Sequence, residues 1–307
     1  MPIIPQPLHP GGTIGVVAPG SPPVDDDYII AGVQYLERKG YKVQLGESVM
    51  ARDGYLSGDD DLRAADINAM FADDSVQAVF CTRGGYGCTR ILPLLDYALI
   101  HENPKPLLGF SDVTAMHAAL YTEADLISYG GPMVAVEMRQ PMQAGTEQTL
   151  WSMVGSAWND VEIGLPPAHE GVYEREGTAS GRLFGGNLAV LTSLVGTLYF
   201  PDIDGGILFF EEIGENVYRI DRMLSQLRNA DVLEGLAGVL IGTMTGVPED
   251  KVNRPLEKVF EEYFAPLEIP VMTGFPFGHI PEKITYPHGA YAEMDASTRI
   301  VRFKRGE

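Results

Sequence analysis

The sequence predicts an α/β fold, and three observations along the chain lead to it. Short apolar runs alternate with amphipathic stretches through the first half of the chain. Between residues 159 and 181 the pattern gives way to Pro, Gly and Glu, and the alternation then resumes. Because strand–helix alternation favours right-handed crossovers, the first half is predicted to form a mostly parallel sheet flanked by helices. We predict an N-terminal domain over 1–160, a linker over 161–181 and a C-terminal domain over 182–307.

Five apolar runs in the first half each predict a buried strand. They begin at Thr13, Lys42, Val76, Pro106 and Ile127. Two amphipathic stretches between them predict helices over 26–39 and 59–71. The first helix is expected to stop at Gly40, and the second opens with acidic residues, which the helix dipole stabilises at an N-terminus.

The second half predicts further strands with helical segments between them. The apolar runs typical of buried strands are 207–210, 237–241 and 270–272. Residues 216–229 have a helical pattern. The tail alternates apolar and polar residues over 290–295 and 299–303, which predicts a C-terminal hairpin.

The chain of 307 residues is strongly acidic, with 42 Asp and Glu against 22 Lys and Arg and a formal net charge of −20. Affinity for nucleic acid and for anionic membrane surfaces comes from clustered Lys and Arg. The charge therefore argues against a nucleic acid partner and against a membrane partner. It also hints that the ligand carries some positive charge.

The cysteine content and the lack of targeting signals in the sequence predict a cytoplasmic protein. The two cysteines, Cys81 and Cys88, form neither a disulfide framework nor a C-x-x-C pair, and are expected to be small buried thiols in a reducing compartment. The first eight residues have no cationic region before an apolar core, so no signal peptide is expected. The sequence has no run of about 18 apolar residues, so no membrane span is expected either.

A serine follows the fourth predicted strand, in the segment Gly109-Phe110-Ser111-Asp112-Val113. A serine between a buried strand and a helix suits a sharp turn that exposes its hydroxyl, as in a nucleophile elbow. Val113 stands where the usual pattern has a second glycine. The alternative is that Ser111 caps the helix that follows. Both interpretations are compatible, since the same geometry directs backbone N–H groups at whatever lies on the hydroxyl.

A glycine-rich loop, Arg83-Gly84-Gly85-Tyr86-Gly87, follows the third predicted strand. Glycines in this position supply exposed N–H groups and positive φ angles, which suits a cradle for an oxyanion or a carboxylate. The loop is not a P-loop, because no Lys-Ser or Lys-Thr follows it. The alternative is a plain flexible loop.

Two adjacent carboxylates, Glu211 and Glu212, end an apolar strand. An unpaired buried carboxylate is costly, so one of them is expected to point into a site and to need a partner. The alternative is a pair of solvated carboxylates at a strand end.

Among the six histidines, His279 is the best candidate for a general base, because it follows a strand and Gly278. His117 is interpreted as a satisfied helix histidine. The sequence has no H-E-x-x-H motif and no spaced His/Asp cluster, so no metal site is predicted. Ser111, Glu211 and His279 would together form a Ser–Glu–His triad, although their spacing alone does not establish one.

Several segments, in their order along the chain, resemble those of one family. They are 83–87 with 90–96, 107–112, 185–188, 196–197, 208–215, 218–224, 276–279 and 287–289. The family is that of the LD-carboxypeptidases, serine peptidases also called muramoyltetrapeptide carboxypeptidases, which include the microcin C self-immunity proteins. The resemblance extends over nearly the whole chain.

The resemblance implies roles for three side chains. Ser111 would be the nucleophile, Glu211 the orienting acid and His279 the general base. It favours Glu211 over Glu212, because relatives usually have Asp where Glu212 stands. It also implies that the N-terminal α/β domain carries the nucleophile, that a smaller C-terminal α/β domain carries the Glu and His, and that the active site lies in the cleft between them.

Further expectations concern the oxyanion and the assembly. The backbone N–H groups of Gly85 and Asp112 are the expected oxyanion donors, with Gly84 beside them at the substrate. The resemblance implies a homodimer with no metal and no organic cofactor.

The chain departs from the family pattern in two places. Gly130 stands where relatives often have a histidine, which puts any substrate contact of that histidine in doubt. The linker near Pro166 is short and has no tryptophan, unlike the aromatic-bearing loop of microcin-type members. This second departure favours a peptidoglycan peptide as substrate.

The sequence therefore predicts a cytoplasmic serine hydrolase that removes the terminal D-alanine from murein tetrapeptides through an acyl-enzyme. Two alternatives are kept. One is a hydrolase of peptidyl-nucleotide, microcin C-like antibiotics that gives self-immunity. The other belongs to a different class, a non-catalytic protein that binds a small peptide, with the glycine loop as its carboxylate cradle. A metal-dependent peptidase is a more distant third.

Overall fold

The computed structural model describes residues 1–156, 161–166, 173–248 and 254–305. The chain divides into two compact units, and each contains segments from separate parts of the sequence. The first unit consists of Met1–Trp158 and Pro281–His288, and the second of Asn159–Ile280 and Gly289–Glu307. The predicted linker includes residues 167–172, which lie outside the described residues.

The strands of the described residues number thirteen. In chain order they are β1 (Thr13–Val17), β2 (Lys42–Leu45), β3 (Val76–Cys81), β4 (Leu107–Gly109), β5 (Ser128–Gly130), β6 (Val161–Gly164), β7 (Thr178–Asn187), β8 (Ile207–Ile213), β9 (Gly238–Thr245), β10 (Val271–Thr273), β11 (Tyr286–His288), β12 (Tyr291–Asp295) and β13 (Ile300–Lys304).

The α-helices of the same residues number nine. They are α1 (Asp26–Arg38), α2 (Asp60–Ala72), α3 (Cys88–Ile91), α4 (Tyr97–Glu102), α5 (Thr114–Ala124), α6 (Ala144–Val154), α7 (Leu188–Ser193), α8 (Val217–Asn229) and α9 (Leu256–Phe264). Short 3-10 turns lie at Glu47–Met50, Leu92–Leu94, Ser111–Val113 and Ala265–Leu267.

The sheet of the first unit has the strand order β11-β5-β4-β3-β1-β2. Its five N-terminal strands pair in parallel, and β11 pairs with β5 in the antiparallel direction. This is the mostly parallel sheet that the strand–helix alternation predicts. Because parallel strands end at one edge, the loops after β1, β3, β4 and β5 gather at the carboxyl edge, where open α/β sheets bind ligands.

Acidic residues begin the first two helices of the first unit. Asp25 precedes α1 and accepts a hydrogen bond from the N–H of Asp27 at 3.0 Å. Asp59, predicted as the first residue of the second helix, instead caps α2 by accepting from the N–H of Leu62 at 2.8 Å. A side-chain oxygen at this position satisfies an N–H that has no partner within the helix.

The sheet of the second unit has the order β10-β9-β8-β7-β12-β13-β6. Strands β7 to β10 are parallel, whereas β12, β13 and β6 are antiparallel. The predicted C-terminal hairpin is the pair β12–β13. The sheet is mixed, because the hairpin and β6 extend a parallel core built from strand–helix units.

Strand β11 lies in a short segment that belongs to a different unit from the residues on either side of it in the sequence. It pairs with β5 of the first unit, with Tyr286 opposite Gly130, whereas residues on both sides of Pro281–His288 belong to the second unit. The predicted division assigned this segment to the C-terminal domain, 182–307. His288, whose surroundings in the sequence indicate a turn, lies in this strand and is buried.

Aromatic side chains hold the end of β10 against β8 in the second unit. The ring of Phe209 packs edge-on against Phe275 and Phe277, with centroid distances of 5.0 and 5.4 Å. All three residues are buried. Aromatic pairs of this geometry contribute about 0.5–1.5 kcal/mol beyond their area, so they fix the segment that leads to residue 279.

Among the described residues, no helix is both long enough and apolar enough to cross a membrane. The two cysteines are free and buried, as the sequence predicts. Burial raises the pKa of the Cys88 thiol well above its usual value, so this thiol is not a reactive thiolate.

Candidate active site

Ser111 occupies a strained turn between β4 and α5. Its φ angle is 65°, in the left-handed region that residues other than glycine rarely adopt. Phe110, the residue before it, is extended with φ −154°. Strain of this kind is stored where surrounding packing determines the backbone. The N-cap of α5 is Val113 rather than Ser111, so the geometry is that of a strand–turn–helix elbow rather than of a serine cap.

Asp112 ties this turn to the neighbouring glycine loop. Its side chain is buried, and its Oδ2 accepts a hydrogen bond from the N–H of Cys88 at 2.8 Å. Burial raises the pKa of the Asp112 carboxyl, against the opposing effects of the Cys88 hydrogen bonds and the Arg63 cation. The side chain of Asp112 therefore supports the turn, whereas its predicted contribution is the backbone N–H.

Gly84 lies directly against the Ser111 turn. A Cβ built at Gly84 would be 3.0 Å from the backbone N of Asp112, from the carbonyl of Phe110 and from the Cβ of Ser111. The carbonyl of Gly84 accepts from the N–H of Ser21 at 2.9 Å, which ties the loop after β3 to the loop after β1. Any side chain at position 84 would displace the turn that presents the serine.

Gly85 requires glycine for a second reason. Its φ is 90°, and a Cβ there would be 2.6 Å from the side chain of Ser21. Within the described part of the chain, the backbone N–H groups of Gly85 and Asp112 donate to no protein acceptor. Backbone donors of this kind are suited to a developing oxyanion.

Arg63 is a buried cation that the sequence analysis did not identify. It lies in α2, and its Nη1 donates to the carbonyls of Gly87, at 3.0 Å, and Pro19. Its Nη2 pairs with Asp60. Arg63 thus connects the loops after β1 and β3, and only its position on an apolar helix face signalled this role.

Gly130 is packed against the ring of Tyr286 on β11. A Cβ at position 130 would overlap that ring, including its hydroxyl, which a Cβ would approach to 2.7 Å. A histidine therefore does not fit at this position in this chain, because the tyrosine occupies its space. The glycine at position 130, where relatives often have a histidine, and the pairing of β11 with β5 therefore belong to one packing arrangement.

His117 lies beneath the serine turn. It is fully buried, with Nε2 2.9 Å from the carbonyl of Gly109 and Nδ1 2.7 Å from the hydroxyl of Ser128. Since a carbonyl only accepts, Nε2 carries the proton and Nδ1 accepts from Ser128. The predicted satisfied helix histidine is confirmed.

In the second unit, Glu211 and His279 form a hydrogen-bonded pair. The Nδ1 of His279 is 2.9 Å from Oε2 of Glu211, which is completely buried, whereas one fifth of the His279 side chain is exposed. Because the carboxylate accepts, Nδ1–H donates and Nε2 remains as the basic nitrogen. This is the arrangement in which an acid orients a catalytic imidazole.

Two glycines make the close approach of these residues possible. Gly278 has φ 138°, and a Cβ there would be 3.4 Å from Oε2 of Glu211. A Cβ at Gly242 on β9 would be 2.7 Å from the carbonyl of Phe277 and 3.1 Å from the Cβ of Glu211. The N–H of Thr243 donates to the Phe277 carbonyl at 2.9 Å, which fixes the segment beside β9.

Glu212 is buried beside Glu211 and has its own partners. Its carboxylate accepts from Nδ2 of Asn187 at 2.9 Å, from the N–H of Ala189 at 2.8 Å and from the N–H of Ile213 at 2.9 Å. Burial raises the pKa of the Glu212 carboxyl, partly offset by these donors. The alternative of two solvated strand-end carboxylates is wrong.

Both adjacent carboxylates are buried because strand β8 is buried on both faces from Ile207 to Glu212. Successive side chains of a strand point to opposite faces, and parallel strands are usually covered on both. The register shift between Phe210 and Glu212 matches two steps on β8 with three on β9, so the extra residue lies in β9. Nδ2 of Asn187, which is paired with Glu211 across β7 and β8, lies 3.3 Å from Oε1 of Glu211 and 2.9 Å from Oε1 of Glu212. Asn187 is a second site residue whose role the sequence did not predict, although it lies in the family-like segment 185–188.

A serine on a strained strand–helix turn and a histidine oriented by a buried carboxylate are elements of serine hydrolase chemistry. Comparison with known proteins places the chain more narrowly. The LD-carboxypeptidase N-terminal domain matches residues 14–131, and the LD-carboxypeptidase C-terminal domain matches residues 180–294. The chain belongs to the LD-carboxypeptidase family, and it is an enzyme of the serine carboxypeptidase class, as the resemblance implies.

Individual relatives match along nearly their whole length. The probable murein peptide carboxypeptidase of Bacillus subtilis is 36% identical over 98% of this chain and 94% of that protein. The murein tetrapeptide carboxypeptidase of Pseudomonas aeruginosa is 32% identical over 95% of both chains. A solved structure of MccF in complex with glutamyl sulfamoyl guanosine has a TM-score of 0.91 at 26% identity and covers 99% of both chains.

Proposed function

We propose that this protein removes the terminal D-alanine from murein tetrapeptides, with Ser111 as nucleophile, His279 as general base and Glu211 as the acid that orients it. The observation that carries the proposal is the 2.9 Å hydrogen bond between Nδ1 of His279 and the buried Glu211 carboxylate. The names of the relatives from Bacillus subtilis and Pseudomonas aeruginosa support murein peptides as the substrate class.

In the proposed reaction, Nε2 of His279 takes the proton of the Ser111 hydroxyl while the oxygen attacks the carbonyl of the diamino acid. The imidazolium is stabilised by Glu211, and the oxyanion accepts from the N–H groups of Gly85 and Asp112. The tetrahedral intermediate expels D-alanine, whose amine receives the proton from His279. Water, deprotonated by His279, then hydrolyses the acyl-enzyme and regenerates the serine.

Mass spectrometry of murein tri-, tetra- and pentapeptides incubated with the protein tests this proposal. The expected result is conversion of tetrapeptide to tripeptide with release of one alanine. A fluorophosphonate probe is expected to label the wild type and not Ser111→Ala. Tight peptide binding without cleavage or labelling would instead support the non-catalytic binding protein.

A second candidate substrate is a peptidyl-nucleotide antibiotic of the microcin C type. The similarity to MccF, whose structure was solved with glutamyl sulfamoyl guanosine, favours keeping it. Parallel assays of a murein tetrapeptide and of a processed microcin analogue separate the two. The larger kcat/KM identifies the substrate class.

The proposal includes a cytoplasmic location and a homodimer. Two buried thiols without a disulfide are typical of a reducing compartment, which supports the location. The homodimer rests on the family resemblance. Light scattering of the purified protein tests it, and a mass of 33.4 kDa at micromolar concentration would contradict it.

A further inference from the structure

A small cavity in the first unit lies at the same sheet edge as Ser111 but uses none of the proposed catalytic residues. Its volume is about 190 Å³, and its lining residues are Pro23, Val24, Tyr28, Arg83, Ala135, Val136 and Arg139. They come from the loops after β1, β3 and β5, and from α1. Since β4 lies between β3 and β5 in the sheet, these loops flank the Ser111 turn.

Two guanidinium groups line this cavity. The Arg83 group donates from Nη1 to the carbonyl of Pro22 at 2.9 Å. The Arg139 group lies over the ring of Tyr28, 3.8 Å from its centroid, and its Nε is buried without an acceptor in the described part of the chain. Because this Nε is enclosed by the protein, contact with a ligand in the cavity falls to the other nitrogens of the Arg139 guanidinium group.

Three carboxylates that neighbour cavity-lining residues along the chain are engaged elsewhere. Glu137 pairs with Nζ of Lys283 at 2.6 Å and accepts from the N–H of Met133 at 2.8 Å. Asp26 pairs with Arg52, and Asp25 accepts from the first turn of α1. Within the described residues, neither Arg83 nor Arg139 forms an ion pair, although the chain carries a net charge of −20.

We propose that Arg83 and Arg139 form a subsite for a carboxylate of the peptide substrate. Guanidinium groups match the planar geometry of carboxylates and bind them through paired hydrogen bonds. The stacking on Tyr28 holds one of the two forks in place. The inference rests on the proposed function and adds to it a substrate-recognition site separate from the triad.

The size of the cavity limits what it takes. Pockets for whole small-molecule ligands measure roughly 300–1,000 Å³. A cavity of about 190 Å³ accepts a single carboxylate-bearing arm rather than a complete peptide. A murein tetrapeptide offers two sources of this group, the C-terminal carboxylate and the free carboxylates along the peptide.

Binding of the tetrapeptide to the Ser111→Ala protein, measured by calorimetry, tests the subsite without turnover. Adding Arg139→Gln is expected to raise the Kd roughly tenfold or more, because charge-assisted hydrogen bonds are lost. Arg139→Lys keeps the positive charge but not the forked geometry of the guanidinium group. Its Kd is expected to lie between the value for the protein that retains Arg139 and the value for Arg139→Gln. Arg38→Gln, an exposed arginine on α1, is the matched control for loss of one charge and should leave the Kd unchanged.

Amidated peptides identify which carboxylate is bound. Converting the bound carboxylate to an amide is expected to raise the Kd for the Ser111→Ala protein, which retains Arg139. The same conversion is expected to change the Kd little when Arg139→Gln is also present. The effect is measured separately for a C-terminal amide and for an internal amide. If neither amide interacts with the substitution, the subsite does not exist.

The subsite and the proposed function fail in different ways. Suppose that the wild type cleaves tetrapeptide, but that adding Arg139→Gln to the Ser111→Ala protein leaves the Kd for tetrapeptide unchanged. In that case only the proposed subsite is wrong. If no D-alanine is released from any peptide, the function is wrong, and glutarate then tests the subsite alone. It is expected to raise the melting temperature of the wild type and of Arg38→Gln, but not of Arg139→Gln. No shift in the wild type would overturn the subsite.

Discussion

The Ser111 turn of the first unit and the Glu211–His279 pair of the second unit are built in different ways. The turn depends on backbone conformation, with Ser111 at φ 65° and with a glycine at position 84, where a Cβ would be only 3.0 Å from the turn. The pair depends on one side-chain hydrogen bond, in which a completely buried carboxylate orients a partly exposed histidine. The first should therefore respond to added volume, and the second to the removal of single atoms or charges.

The largest expected effects come from removing the reacting groups. Ser111→Ala and His279→Ala are each expected to lower kcat on murein tetrapeptide by roughly 10⁴–10⁶, and the double variant by little more, because residues of a triad act as a unit. Quantification of released D-alanine measures this. Activity above a few per cent of wild type in Ser111→Ala would rule out the mechanism.

The next effect separates the two adjacent carboxylates. Glu211→Gln is expected to lower kcat roughly 10³–10⁴-fold, because an amide does not stabilise the imidazolium and can hold the wrong tautomer. Glu212→Gln is the matched control, since Glu212 is equally buried but contacts Asn187 and backbone N–H groups instead of His279. Glu212→Gln is expected to lower the free energy of unfolding and to leave kcat much closer to the wild-type value than Glu211→Gln does. Equal losses of kcat would assign the orienting role to both.

The turn is tested by volume rather than by charge. Gly84→Ala leaves the residues of the proposed triad unchanged and is expected to lower kcat by about 100-fold, since small misplacements of reacting groups cost that much. Gly164→Ala is the control, because a Cβ there meets nothing within 4 Å and its φ is not in the left-handed region. Wild-type kcat in Gly84→Ala would show that the turn adapts to the added methyl group.

The smallest effect concerns the histidine beneath the turn. Burial lowers the pKa of His117 to about 4 from its usual 6.5, so the unfolded chain binds a proton between these values and the folded chain does not. Its contribution is therefore complete above pH 6.5 and is lost as the pH falls towards 4, at about 1.4 kcal/mol per pH unit.

Denaturant unfolding of the wild type and of His117→Gln between pH 7 and 4.5 measures this contribution. The stability of the wild type is expected to fall more steeply with decreasing pH than that of the variant, whose side chain does not titrate. Burial also lowers the pKa of His288, so a slope remains in the variant. Identical slopes would show that His117 does not contribute.

Secondary structure was predictable where local pattern decides it. The strand at 76–81, the helix that starts at 26 and the C-terminal hairpin match β3, α1 and β12–β13 closely. Each has a clear apolar period and a local stop or cap. The assignment of β11 was not predictable, because its pairing with β5 depends on Tyr286 filling the space beside Gly130, and these residues are far apart in the sequence.

The candidate site shows the same division. The sequence singled out Ser111, the glycine loop, the acidic pair and His279 from their places after strands. It did not reveal that Glu212 is as buried as Glu211, because this depends on other segments of the chain covering both faces of β8. It also missed Arg63, since an arginine in an amphipathic helix is ordinarily solvated.

By itself, the sequence determined the parallel core of the first unit, the family and the chemical types in the site, because these follow from short-range periodicity and from motifs of adjacent residues. Only the tertiary structure decided which carboxylate hydrogen-bonds His279, why Gly130 excludes a side chain, and that Arg83 and Arg139 line one cavity. These depend on contacts between segments tens to more than a hundred residues apart. Packing of the folded chain determines such contacts, and no local pattern encodes them.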